Sequence, residues 1–231
     1  MRFPPLVAGR LVSRYKRFFA DVALRGGEVV TAHCANPGSM RTCAEPGARL
    51  WLSRSDNAKR KLAWTWELAE IDGALVSVNT ARANQIVAEA IATRSIAELG
   101  RYDQIRREVK IGASRIDFLL EGDKRTWVEV KCATMDGGRG AAAFPDSVTD
   151  RGARHVGELA KLRSKGDRAV LLFCVARAGV TRVRPADEID PTYGAALRAA
   201  AKRGVEVIAY RASIDRRGIA LADAIPVDLS G

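Results

Sequence analysis

The feature that most constrains the fold is a change of pattern at Asn79. Before it, the chain does not read as helices. Six short β-rich runs follow one another instead: Leu6–Ser13, Lys16–Leu24, Glu28–Cys34, Arg49–Arg54, Trp64–Ile71 and Leu75–Asn79. Gly26-Gly27 and Asp72-Gly73 between runs are hairpin turn signals. Asn36-Pro37-Gly38 and Glu45-Pro46-Gly47 are turn tripeptides, in which proline sets φ and glycine accepts a positive one. So many short strands in so few residues must close on themselves or stack. An OB-type barrel over residues 1–80 fits the size, and such barrels commonly bind oligonucleotides.

After Asn79 helices and strands alternate. Thr80 reads as an N-cap, and Ile86, Val87, Ala90 and Ile91 then recur at helical spacing through about Arg94. Strands are expected at Ile105–Ile111, Ser114–Leu120 and Thr126–Ala133, then a helix over Thr149–Ser164. The continuous apolar run Ala169–Val175 reads as a strand buried on both faces. A helix at Pro191–Arg203 and a strand at Val205–Tyr210 complete an α/β domain over residues 81–231. Met135–Gly140 is expected to be a flexible loop.

The chain of 231 residues carries 38 Lys+Arg against 27 Asp+Glu, a net charge of +11. The excess is spread: 12 against 7 in residues 1–80 and 26 against 20 in the rest. It points to a polyanionic partner rather than to a basic tail. No apolar run approaches the ~18 residues of a membrane span. Met1–Pro5 has no signal-peptide core, so a cytoplasmic protein is expected. Cys34, Cys43, Cys132 and Cys174 form no C-x-x-C pair and only His33 and His155 accompany them, so no zinc site is expected.

The chemistry concentrates in Ser114–Lys131. A hairpin whose turn centres on Asp123 pairs positions equidistant from it, so Asp117 faces Glu129 across the ladder. Lys131, two residues on, shares that face. Directly opposed carboxylates destabilise a sheet. They suit a hard divalent cation such as Mg²⁺, which takes one or two carboxylates and keeps its waters. A neighbouring lysine can orient such a water or neutralise an attacked phosphate. The plainer alternative is an exposed strand face with a weak Lys–Glu pair.

Asp117, eleven intervening residues, then Glu129-x-Lys131 resembles the core of the PD-(D/E)xK nuclease superfamily, whose αβββαβ order matches the reading above. Ile116 stands where the eponymous proline would be. Phe3-Pro4-Pro5-Leu6-Val7 with Gly9-Arg10-Leu11, His33–Met40, and Phe144–Thr149 with Arg151-Gly152 and His155 are similar to the sugar fermentation stimulation protein A family along essentially the whole chain. That resemblance implies an OB-type domain followed by a nuclease-like domain. It also implies DNA binding through backbone contacts with little sequence preference, and a regulatory role in maltose metabolism. The alternative it raises is a Mg²⁺- or Mn²⁺-dependent nuclease. In that case Asp117, Glu129 and the Val130 carbonyl hold the metal and Lys131 serves the attacking water. An acidic residue on the first helix often completes such a site, which implies Glu89, with Glu108 as its rival.

Other candidates have competing readings. Arg14, Lys16 and Arg17, interleaved with Tyr15 and Phe18, and the run Lys59-Arg60-Lys61 suit nucleic acid. Trp64 and Trp66 alternate as barrel core would. Arg151 and His155 share a helix face near an N-terminus, where phosphate binds well, while Asp146 and Thr149 are possible caps. Asn36, Gly38 and Ser39 line either a ligand loop or a tight structural turn.

Overall fold

The computed structural model describes residues 1–112 and 114–230. Strands β1 (Leu6–Tyr15), β2 (Phe19–Leu24), β3 (Val29–His33), β4 (Arg49–Arg54) and β5 (Trp64–Ile71) pair in the order β1-β2-β3-β5-β4-β1. Only β3 and β5 run parallel, through Ala32–Trp64 and His33–Thr65, and that pairing closes the barrel. This is the OB-type architecture expected. Leu11, Ala20, Val22, Ala32, Leu50, Leu52 and Trp66 fill the interior. Trp66 anchors there by donating its indole N–H to the Leu68 carbonyl at 3.0 Å. Trp64 instead lies half-buried at the surface beneath the Arg54 guanidinium. β6 (Ala74–Ser77) returns along β5 through Asp72 and Gly73, both at positive φ.

The β1–β2 connection departs from expectation. The run Lys16–Leu24 does not begin as strand, because Lys16 and Arg17 form the turn at φ 48° and 63°. Side chains with a Cβ adopt that conformation at roughly 1–2 kcal/mol each.

The second body follows as α1 (Ala81–Ala92), β7 (Gln104–Ile111), β8 (Ser114–Glu121), β9 (Thr126–Ala133), the short β10 (Met135–Asp136) and β11 (Ala141–Phe144). Then come α2 (Asp150–Ser164), β12 (Arg168–Val175), β13 (Arg182–Pro185), α3 (Pro191–Lys202), β14 (Glu206–Ile214) and β15 (Ile219–Ala224). The main sheet has the order β15-β14-β12-β9-β8-β7, with β9, β12 and β14 parallel at its centre. β12 shows why: Val170, Leu172 and Cys174 pack on the α1 side, while Ala169, Leu171 and Phe173 pack with α2 and α3. Both faces are covered by helices, as a parallel sheet requires. α1, β7–β9, α2 and β12 give the αβββαβ order. Met135–Gly140 is not a free loop but most of a tight hairpin, with Gly137 N–H on the Ala141 carbonyl and Gly138 N–H on Asp136.

α1 joins the two bodies. Trp51 and Leu68 of the barrel share its apolar cluster. Beside them Glu67 is fully buried and takes a bidentate contact from Arg82 at 2.6 and 3.0 Å, with Ser53 and Asn79 on its remaining lone pairs. Thr80 does not cap α1 with its side chain, because its hydroxyl is committed to the Ala35 carbonyl. Asn79 supplies the cap oxygen, accepting from the Ala81 N–H at 3.2 Å. Among the described residues no helix is long and apolar enough to cross a membrane.

Candidate functional site

The β8–β9 hairpin has the register centred on Asp123: Phe118–Val128, Leu119–Trp127 and Leu120–Thr126. The ladder stops at Phe118. One residue further, Asp117 turns its own carboxylate into the sheet, where Oδ2 accepts the Val130 N–H at 2.7 Å. On the other side of β8 the paired positions Arg107–Phe118 and Val109–Ile116 skip Glu108 and Asp117. Glu108 has φ 52°, so β7 bends there. The strands therefore part at Asp117 and leave a gap in the sheet. A residue's N–H and C=O leave a strand on the same edge, so the Val130 carbonyl faces this gap too.

Glu129 is almost wholly buried, 3% exposed. Its Oε1 accepts from Lys131 Nζ at 2.6 Å and from His155 Nδ1. Arg151 Nε donates to His155 Nε2 at 3.4 Å, which fixes the tautomer: Nδ1 carries the hydrogen toward Glu129. Glu129 Oε2 is buried with no protein partner. Orphaned carboxylate oxygens are rare and costly in a protein interior.

Burial and the adjacent Glu129 charge push the Asp117 pKa up to about 6, against the opposing pull of the Val130 N–H, Lys131 and Asn84. For Glu129 burial works in the same upward direction. The contacts from His155 and Lys131 outweigh it and hold the group below the usual carboxylate range. As pH rises, Glu129 thus ionises before Asp117.

These features fit a divalent cation. An orphaned anionic oxygen on Glu129, the Asp117 carboxylate whose pKa burial and the Glu129 charge raise, and the Val130 main-chain carbonyl belong to one hairpin end. They are hard oxygen donors of the kind Mg²⁺, Mn²⁺ or Ca²⁺ takes. Among the described residues no three His, Cys, Asp or Glu side chains group as ligands, so water would complete the shell. The four cysteines are free, and burial raises all their pKa values, Cys132 to about 12.

The structure redistributes several candidate roles. Glu89 does not reach the acidic pair. It is 56% exposed and pairs with the Met1 ammonium at 2.7 Å. Glu108 is exposed at the bend of β7. The α1 residue that does reach the site is Asn84, whose Nδ2 donates to Asp117 Oδ1 at 2.9 Å. Glu89, five residues on, lies about 140° around the helix from it. Asn84 had a signal in the sequence: it stands three and seven residues before Val87 and Ile91, on the apolar stripe where a polar side chain needs a partner.

His155 is buried against Glu129 and is not free to meet phosphate, whereas Arg151 stays exposed in the first turn of α2. Thr149 caps that helix through Gly152 N–H. Arg14, a candidate for DNA, is engaged inside the barrel. Its guanidinium donates to the carbonyls of Asn36, Gly38 and Ser39. Lys16, Arg17, Lys59, Arg60 and Lys61 are exposed, with Arg60 also donating to Thr65 Oγ1.

The Asn36–Met40 loop is a tight joint. Asn36 Oδ1 accepts Gly38 N–H, and Asp146 of the second body accepts Met40 N–H at 2.9 Å and the Ser39 hydroxyl. A Cβ on Gly38 would lie 2.1 Å from Asp146 Oδ1. Glycine is there because the Asp146 carboxylate occupies the space.

Comparison with known proteins agrees with this architecture. Residues 12–78 match the family model described as the SfsA N-terminal OB domain. Residues 81–218 match the sugar fermentation stimulation protein RE domain. The sugar fermentation stimulation protein homolog of Maricaulis maris is 52% identical, covering 100% of both chains. That of Pseudomonas aeruginosa is 54% identical over 99% of this chain and 100% of its own. Among solved structures, Pyrococcus furiosus SfsA in complex with Ca²⁺ superposes with a TM-score of 0.91 at 27% identity, over 99% of this chain and 98% of that one. The barrel, the α/β body and matches along nearly the full length make this chain a member of the sugar fermentation stimulation protein family.

Proposed function

We propose that the protein binds DNA in the cytoplasm through its sugar–phosphate backbone, with little sequence preference, and hydrolyses phosphodiester bonds with Mg²⁺ or Mn²⁺. The observation that carries this reading is the buried Asp117–Glu129 pair with Glu129 Oε2 left unpartnered. Asp117, Glu129 and the Val130 carbonyl would hold the cation, and the Ca²⁺ complex of the Pyrococcus furiosus relative supports a divalent ion in this family. When bound, the ion supplies Lewis acidity at the phosphate and lowers the pKa of bound water.

The protein's own residues do the rest. Asn84 and the Val130 N–H orient Asp117. His155, steadied by Arg151, and Lys131 hold Glu129 Oε1, which leaves Oε2 as the oxygen available to a cation. Lys131 Nζ bonds Glu129 Oε1 at 2.6 Å, from where it would orient the attacking water and offset charge developing on the phosphate.

The test is a gel with supercoiled and single-stranded DNA in Mg²⁺, Mn²⁺ or EDTA, with Lys131→Ala alongside. The expected result is metal-dependent cleavage that disappears in EDTA and in the variant, while DNA retardation persists. Retarded but uncut DNA in every lane would instead support a binding protein without turnover. The spread charge of +11 and the exposed Lys16, Arg17, Lys59, Arg60 and Lys61 favour that second reading, and a regulatory role in sugar metabolism would then rest on binding alone.

A further inference from the structure

A cleft of about 380 Å³ lies between the barrel and the second body and shares Val130 and Lys131 with the acidic site. Its floor is β9 at Val130 and Lys131. One wall is the Asn36–Gly38 loop, the other Phe144–Thr149, and Arg17 overhangs the mouth. The two walls are fastened to each other. Asp146 holds the Met40 N–H and Ser39 across the cleft, while Arg14 of the barrel braces its own Asn36–Ser39 loop through three carbonyls. With Gly38 directly against Asp146, the walls cannot part without breaking that joint.

The dimensions select what enters. The volume lies near the small end of the range for one drug-sized ligand, the size of a single nucleotide. A base pair with its partner strand does not fit between fixed walls. The lining is mixed in the way a nucleotide needs. Phe144, Pro145 and Val148 offer apolar surface for a base, and Lys131 and Arg17 offer cations for the phosphates on either side. Val148 is 73% exposed at the rim, and next to Arg17 Phe18 is 44% exposed. Exposed apolar and aromatic side chains interleaved with cations are the surface on which unpaired bases stack.

We infer that this cleft receives one unpaired nucleotide adjoining the scissile phosphate, so that the substrate is single-stranded DNA or the single-stranded arm of a junction rather than continuous duplex. The inference rests on the reading of Asp117, Glu129 and Lys131 as a phosphodiesterase site and adds the form of DNA it takes.

The test uses one labelled sequence presented as single strand, as a flap on a duplex, and as full duplex, each with Mn²⁺. Wild-type protein is compared with Val148→Glu, an exposed change that places a negative charge in the mouth and leaves the acidic pair intact. Single strand and flap should be cut about tenfold faster than duplex, the worth of one stacked base, and Val148→Glu should remove that advantage. Equal cutting of duplex, or a Val148→Glu protein that cuts single strand as well as wild type, overturns the cleft while leaving the nuclease reading intact. If no DNA is cut under any metal, the nuclease reading fails and the cleft is judged by binding with Ca²⁺ at fixed salt. Single-strand affinity should then fall about tenfold in Val148→Glu with duplex affinity unchanged, and an unchanged single-strand affinity overturns the inference. Manganese binding measured calorimetrically should be the same for both proteins, which excludes misfolding as the cause.

Discussion

Asp117 does the work of a main-chain carbonyl. Its carboxylate replaces a ladder bond to Val130, and the sheet opens beside it. A group so placed is uncomfortable as an anion. Its folded-state pKa, about 6, stands above the unfolded value of about 4. It therefore stabilises the fold when protonated, fully so below pH 4, and that contribution is lost as pH rises through 6. In metal-free protein, Asp117→Asn should thus raise the thermal midpoint at pH 8, by at most about 3 kcal/mol in stability, and change little at pH 4. Thermal melts at the two pH values check this. A cation reverses the balance by binding the ionised form. Adding Mn²⁺ at about a hundred times its Kd should stabilise wild type by about 2.7 kcal/mol at pH 8. EDTA should abolish the gain, Glu129→Ala should never show it, and it should shrink as pH falls below 6, where protons compete.

The elements that carry the site differ in how far they could be read from the chain. The hairpin was legible because Gly122, Asp123 and Lys124 sit between two apolar runs, and a turn so centred admits one register. The barrel was legible for the same reason, its glycine pairs and tripeptides marking where strands end. β13 and β15 were not. Arg182–Pro185 alternates in burial but has only four residues, too few to show a period in the sequence, and Ile219–Ala224 is a largely exposed edge strand. The roles of Arg14, His155 and Asp146 were hidden for a further reason. Each acts on a partner at least 22 residues away, and no local spacing encodes such contacts. The Asn36–Met40 loop can be probed directly. Gly38→Ala should force Asp146 away and destabilise the protein by about 1–3 kcal/mol, measured by denaturant unfolding, with Asp146→Ala suppressing part of the loss.

At the scale of the whole molecule, charge and connection matter most. Backbone binding predicts an affinity that falls steeply with salt. Replacing Lys59, Arg60 and Lys61 with alanine should lower the slope of log K against log salt by up to about 3 in duplex or single-strand titrations, without changing the preference among sequences. The barrel and the acidic site also meet on one helix. Arg82 of α1 holds the buried Glu67 of the barrel, and Asn84, two residues along, holds Asp117. Glu67→Ala would leave Arg82 without its partner at about 3–5 kcal/mol. It should also lower activity beyond that loss of stability, a combination that unfolding and cleavage assays on the same protein would show. Such a joint limits how the two halves can be recombined. A chimera that sets a foreign OB barrel before residue 81 needs more than a matching apolar surface. It must bring its own equivalents of Ser53, Glu67 and Asn79, because the helix that presents Asn84 to the acidic pair is seated on them.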